Sequence, residues 1–341
     1  MNISSQNDWD PLVECFVGRA NNCKFPPLDL SSWAVDFCSY EWNTLLSLRD
    51  KGSLFPQTLI EEANEDLDNF ADTLTKYGVR VRRPEVTENI ECYNCRDLLI
   101  PLDNLIIDCP SPVRSRRRET LSYRKYLTQA VESGVEWLCA PRPYLADDNY
   151  QLDDLELPTV TNKEILFEAP NIVRLGNDLL YQVSNTGNKL GFDWLRTVLE
   201  PRGYRLHLAE NFYTYSHFDS TVIPLRPGLV MFNATRCTPN HYPQIFKSWD
   251  KIWIYEDDVV DIGNSYPNDI APCSKYIALN IFSINPELVV VEERQTSIIR
   301  QLEMHGITCI PLKMRHARTL MGGFHCTTLD TIREGSRQDY F

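Results

Sequence analysis

LIEEANEDLDNFADTLTKYGVRV, running from Leu59 to Val81, is the stretch on which the fold turns. Ile60, Ala63, Leu67, Phe70, Leu74 and Tyr77 recur at steps of three and four, the spacing that lines one face of a helix. Glu61, Glu62 and Glu65 come early, where the helix dipole favours acids. Gly78 then supplies the left-handed conformation that closes a helix, and Val79-Arg80-Val81 begins a strand at once. The phrase returns at Gly134 before Val135 to Leu138, at Gly203 before Tyr204-Arg205-Leu206, and at Gly306 before Ile307 to Ile310. A weaker copy has Trp249-Asp250 before Lys251 to Ile254. The five junctions, at 78, 134, 203, 250 and 306, are 47 to 69 residues apart, as expected of one supersecondary unit repeated with variable loops.

Further strand pairs lie between the junctions, such as Ile172 to Leu175 and Leu179 to Val183 around the turn dipeptide Gly176-Asn177. Each unit therefore reads as strands plus one helix. Five such units cannot bury their sheets singly; packed around an axis they form a closed α/β propeller whose centre collects strand ends and loops from every module. An unrelated α/β sandwich is the alternative. No low-complexity segment or linker interrupts the 341 residues, so a single domain, 1–341, is expected.

Composition narrows the function. With 34 Lys+Arg against 47 Asp+Glu, the net charge of -13 argues against a surface built to neutralise nucleic-acid phosphates, and favours cationic small molecules. The longest apolar runs are strand-sized, which argues against a membrane span, and the opening MNISSQNDWDPL lacks the features of a secretory signal; a cytoplasmic protein is expected. The eleven cysteines are scattered, and in a reducing compartment most should be small buried hydrophobes. Cys92 and Cys95 form a Cys-x-x-Cys pair, but no second half follows at metal-site spacing, so no metal is expected. Oligomeric state is left open, a homodimer included.

A cysteine mechanism needs a thiolate, a base within reach and a group to orient that base. Cys326 follows Gly322 and Gly323, which allow close approach of a ligand to the backbone and suit a loop or strand end. The adjacent His325 points to the opposite face if the chain is extended, and reads as structural. In Ser216 to Thr221 the alternation resembles a strand, which puts His217 and Asp219 on one face; by itself such a pair reads first as a solvated strand edge. Asp178, just after Gly176-Asn177, is by itself a turn aspartate, and Asp97 in Cys95-Arg96-Asp97 has the same standing.

Five blocks change that balance: NDWDPLVECFVGRA, RDLLIPLDNLIID, NIVRLGNDLLYQVSNTGNKLG, SHFDSTVIPLRPGLVMFN and GGFHCTTLDTIREG. Through them the chain resembles, nearly end to end, the amidinotransferase family, which includes glycine amidinotransferase and the inosamine-phosphate amidinotransferases of aminocyclitol antibiotic pathways. LLYQVSNTGN, HFDSTVIPLRPGL and FKSWD look most like the inosamine-phosphate branch. The resemblance implies a five-module, pentein-type propeller and, position by position, Cys326 as nucleophile, His217 as general acid and base, and Asp178 as the residue orienting His217. It further implies Asp97 and Asp219 on the guanidinium of an arginine donor, Arg236 on its carboxylate, and Ser274 as a remaining donor contact. The implied reaction is ping-pong transfer of the amidino group of L-arginine to a small-molecule amine with release of L-ornithine, without metal or organic cofactor. The acceptor implied is an inosamine phosphate such as scyllo-inosamine 4-phosphate; lysine or glycine is the alternative.

Several positions depart from the family pattern. Cys95 replaces a proline before Arg-Asp, Met321 a glycine beside the nucleophile, and Cys273 a serine. Arg117 and Arg118, within Arg114 to Arg118, replace apolar residues; they read as a solvated helix face or as an anion site for a phosphorylated acceptor. Two rival functions remain: an arginine deiminase-type hydrolase, and a catalytically silent binding protein on the same scaffold.

Overall fold

A computed structural model describes residues 1–25, 27–39, 43, 46, 55–210, 212–263 and 273–341. Five three-stranded sheets make up the architecture, and all share one plan: an antiparallel pair followed by a parallel third strand. Four modules follow chain order: β3 (Leu99–Leu102), β4 (Leu105–Asp108), β5 (Glu136–Cys139); β6 (Ile172–Leu175), β7 (Asp178–Tyr181), β8 (Arg205–Leu208); β9 (Val222–Arg226), β10 (Leu229–Asn233), β11 (Asp250–Ile254); β12 (Phe282–Asn285), β13 (Leu288–Glu292), β14 (Thr308–Leu312). The fifth joins the two ends of the chain. β15 (Thr328–Arg333) pairs antiparallel with β1 (Leu12–Val17), which pairs parallel with β2 (Arg80–Arg82). The five-module α/β propeller expected from the repeat is what the chain forms.

The glycine junctions act as read. After helices Gln57–Lys76, Arg124–Glu132, Lys189–Leu199 (with a 3-10 turn to Arg202) and Thr296–Met304, the glycines 78, 134, 203 and 306 have φ of 84°, 91°, 82° and 75°. Beyond each glycine the next amide returns to a carbonyl five residues back: Val79 to Leu74, Val135 to Ala130, Tyr204 to Leu199 and Ile307 to Leu302, at 3.0–3.2 Å. Each is a left-handed helix stop whose last amide bond aims the chain straight into the parallel strand. The weaker fourth copy has no such stop; there a 3-10 turn, Gln244–Phe246, carries the crossover. In the first of these helices Leu59 joins Ala63, Leu67, Phe70 and Leu74 in the core, Ile60 packs against it partly buried, and Tyr77 is exposed.

Buried charge ties the modules together near the axis. Asp330 on β15 accepts from Arg333 at 2.6 Å and from Arg174 of β6 at 2.8 Å, and also from Arg96, just before β3. Three modules thus meet on one carboxylate held far below its usual pKa: burial opposes its ionisation, but Arg174 and Arg96 outweigh it. Removing that carboxylate would leave Arg333 without an ion-pair partner and Arg174 and Arg96 with Asp8 alone. Among the described residues no helix is long and apolar enough to cross a membrane.

Candidate active site

One position in every module faces the centre: the residues just before the first strand of its antiparallel pair. They are Asp97 before β3, Glu168 before β6, His217 and Asp219 before β9, Asn280 before β12, and His325 and Cys326 before β15. Pseudo-symmetry therefore gathers these seven groups from five separate stretches of chain.

Cys326 lies in a turn, buried, with its amide donating to Asn280 Oδ1 at 2.8 Å and its Sγ 3.3 Å from Asp219 Oδ2. The two glycines before it are there for space: a Cβ on Gly322 would lie 2.0 Å from Asn94 Oδ1, and one on Gly323 2.8 Å from Asn280 Cβ. Because the chain turns here, the expectation that His325 points away from Cys326 fails. His325 Nδ1 is 2.9 Å from the same Asp219 Oδ2. Burial, then the Asp219 and Asp97 carboxylates, push the thiol well above its ordinary pKa.

His217 and Asp219 do come together, but along a turn and not a strand. Thr221 and Val222 both send their amides back to the Phe218 carbonyl, at 2.7 and 2.8 Å, so the alternation in Ser216 to Thr221 describes no β ladder. His217 Nε2 is 2.7 Å from Glu168 Oε2, and its Nδ1 is 4.0 Å from Asp97 Oδ1. Burial alone would lower the imidazole pKa; Asp97 and Glu168 outweigh it and raise it to about 9. Burial likewise favours a neutral Glu168, but Arg116 and His217 bring it down to about 2.

The partner of His217 is thus Glu168, and the expectation that Asp178 orients it is corrected. Asp178 opens β7 at the far end of the β6–β7 hairpin from Glu168, where its carboxylate is taken by Arg205, at 2.8 and 2.5 Å, and by His207 Nε2, at 2.6 Å. Sequence reasoning missed Glu168 because Phe167-Glu168-Ala169-Pro170 carries no periodicity. The one local sign is a capping box with Asn171 over a short 3-10 turn.

Arg116 was also missed. From the 3-10 helix Arg114–Tyr123 its Nη1 donates to Asp97 Oδ2 at 2.8 Å and to Glu168 Oε1 at 3.1 Å, while Nε and Nη2 hold Glu119. Asp97, Glu168 and His217 lie close enough to ligate a cation; here the Arg116 guanidinium already bridges the two carboxylates. Its neighbours in the basic run do not bridge these carboxylates. Arg114 pairs with Asp147, and Arg117 and Arg118 are exposed.

Asp97 and Asp219 are buried, and each keeps one oxygen, Oδ1, without a hydrogen-bond partner among the described residues. An unmet buried carboxylate oxygen is costly unless a ligand donor satisfies it. A guanidinium, planar with several N–H donors and a positive charge, suits such a pair. Arg236 offers the opposite charge. Its Nη1 donates to Thr221 Oγ1 at 3.0 Å, its guanidinium lies 5.9 Å from the Tyr276 ring, burial lowers its pKa, and among the described residues no carboxylate pairs with it. Ser274 is exposed at the start of a 3-10 turn, Lys275–Leu279, and Cys273 is half-buried with its carbonyl on Arg318 Nε at 3.0 Å. Cys92 and Cys95 are buried, free thiols facing main-chain carbonyls.

No family model matches the chain. It is 39% identical to inosamine-phosphate amidinotransferase 1 of Streptomyces griseus over 99% of both chains. It is 31% identical to the L-arginine:L-lysine amidinotransferase of Pseudomonas savastanoi pv. phaseolicola over 99% of this chain and 96% of the other. Superposed on the solved S. griseus inosamine-phosphate amidinotransferase, it gives a TM-score of 0.92 at 38% identity, with 99% of each chain covered.

Proposed function

The chain belongs to the amidinotransferase family, and on that premise we propose that it moves the amidino group of L-arginine, through a covalent adduct on Cys326, to an acceptor amine, releasing L-ornithine. The observation that carries this reading is the pair of orphan oxygens on Asp97 and Asp219 beside the Cys326 thiol. A guanidinium seated on them presents its central carbon to sulfur, and Arg236 is free for the donor's carboxylate. The same seating neutralises the two carboxylates that hold the thiol and imidazole protonated. A proton leaves the Cys326–His217 pair as the donor binds; the one that remains passes through His217 to the departing amine. Glu168 fixes the imidazole in that role.

The proposed acceptor is a phosphorylated inosamine such as scyllo-inosamine 4-phosphate, the class named for the S. griseus relative. Lysine, glycine and water are the competing acceptors. Mass spectrometry after incubation with arginine alone should find an amidino adduct on Cys326 and none in Cys326→Ala, with stoichiometric ornithine. Steady citrulline formation without any amine would replace the transferase reading by a hydrolase, and an amine screen scored by ornithine release identifies the acceptor.

A further inference from the structure

A cavity of about 310 Å³ adjoins the site, with Arg116, Tyr93, Asn94 and Met321 in its wall. Asp36, the last residue of the short helix Leu30–Asp36, also lines it. Among the described residues its carboxyl group has no ion pair or hydrogen bond, in contrast to Glu119 across the cavity, which is held by Arg116. The charges that act on Asp36 are those of the reaction centre: Glu168, Arg116, His217 and Asp97. Glu91 and Lys24 complete the charged groups of the wall, together with Glu119, Arg118 and the Asp147-paired Arg114.

The chemistry of the second half-reaction calls for a base at such a place. An acceptor amine arrives as an ammonium ion and must shed one proton before it can attack and a second after it has. His217 can serve only once. We infer that Asp36 is the carboxylate that receives the incoming acceptor ammonium in this cavity and takes its first proton. This inference rests on the transferase reading above.

The step balances. The ammonium gives one proton to Asp36, and the free amine forms a bond to the amidino carbon. Its second proton passes to His217, the carbon–sulfur bond breaks with the electron pair staying on Cys326, and His217 returns that proton to sulfur. The product leaves as a guanidinium, and Asp36 releases its proton to solvent. Burial, then the nearby Glu168 carboxylate, push the Asp36 carboxyl up to about 7, within reach of an ammonium donor near neutral pH.

The test separates the half-reactions. Wild type and Asp36→Asn are each charged with arginine, the Cys326 adduct is measured by mass, and its discharge is timed with scyllo-inosamine 4-phosphate, lysine, glycine and hydroxylamine. Hydroxylamine is uncharged at neutral pH and has no first proton to lose. Adduct formation should be equal in the two proteins. Discharge by the cationic amine that serves the wild type should slow about tenfold or more in Asp36→Asn. Discharge by hydroxylamine should be unchanged, and the wild-type pH dependence near 7 should vanish in the variant. Equal discharge by the cationic amine in both proteins, or equal slowing with hydroxylamine, overturns the role of Asp36. An absent adduct in the wild type instead overturns the transferase reading.

Discussion

Two places in this molecule hold the same trio, a buried acid with a histidine and an arginine. Between β7 and β8 they are Asp178, His207 and Arg205; at the centre they are Glu168, His217 and Arg116. In the first, the arginine and histidine side chains are 48% and 41% exposed, and every charge is answered locally, Arg205 also binding Asp339. In the second, both are 16% exposed, and a nearby carboxylate oxygen on Asp97 is unanswered. Residue types alone do not tell a structural ion cluster from a reactive one. Desolvation and an unfilled bonding demand are what set the central one apart.

The sharpest way to break this comparison is to neutralise each acid in turn. Glu168→Gln keeps the shape but removes the charge that orients and ionises His217, and amidino transfer should fall about a hundredfold or more. Asp178→Asn should leave steady-state ornithine release unchanged. If the Asp178 variant lost activity and the Glu168 variant kept it, the assignment of the two clusters would be reversed.

A pH series sharpens it further. The His217 pKa lies above its ordinary 6.5, at about 9, so the stability gained from its carboxylate partners is full below 6.5 and disappears as the pH rises through about 9. Glu168, lowered to about 2, sheds its share only as the pH falls from its ordinary 4.5 through that value. The gap in Tm between wild type and Glu168→Gln should therefore be widest between 4.5 and 6.5 and narrow toward 9. A gap that widened with rising pH would contradict an imidazolium at rest.

Between β7 and β8 the expected effect is smaller. Asp178→Asn weakens contacts to an arginine and a histidine that are nearly half exposed, so solvent screening limits the loss to about 1 kcal/mol or less, measurable by urea unfolding. A larger loss would mean that the outer cluster helps to hold the module together.

The contrast also explains what could be read from sequence. Helices, glycine stops and parallel strands were legible because each is encoded within about ten neighbouring residues, as in Leu67 to Val79. The clustering of Cys326, His217, Asp97 and Asp219 was legible through resemblance. Glu168 was not, because its place in the cluster depends on a coincidence in space: it occupies in the second module the pre-strand turn that Asp97, Asp219 and Cys326 occupy in theirs. Aligning the modules on their first strands is the signal that would have found it. The His325 and Ser216–Thr221 readings erred alike, by assuming extended chain at these pre-strand turns.

Met321 offers the mildest perturbation, at the boundary between the reactive cluster and the neighbouring cavity. Its φ of 58° lies in the left-handed region, where a residue with a Cβ costs about 1 kcal/mol or more. Met321→Gly relieves that strain, loosens the unfolded chain by a comparable amount and gives up the packing of the partly buried side chain on Phe25 and Phe37, so stability should fall by about 1 kcal/mol or less. The side chain also lines the cavity beside the glycines that precede Cys326, so its removal enlarges the space on that side alone. The KM for acceptor amines bulkier than the natural one should fall, while the KM for arginine stays constant. A change in the arginine KM would mean that the cavity and the carboxylate cluster are one compartment, with donor and acceptor sharing the same walls.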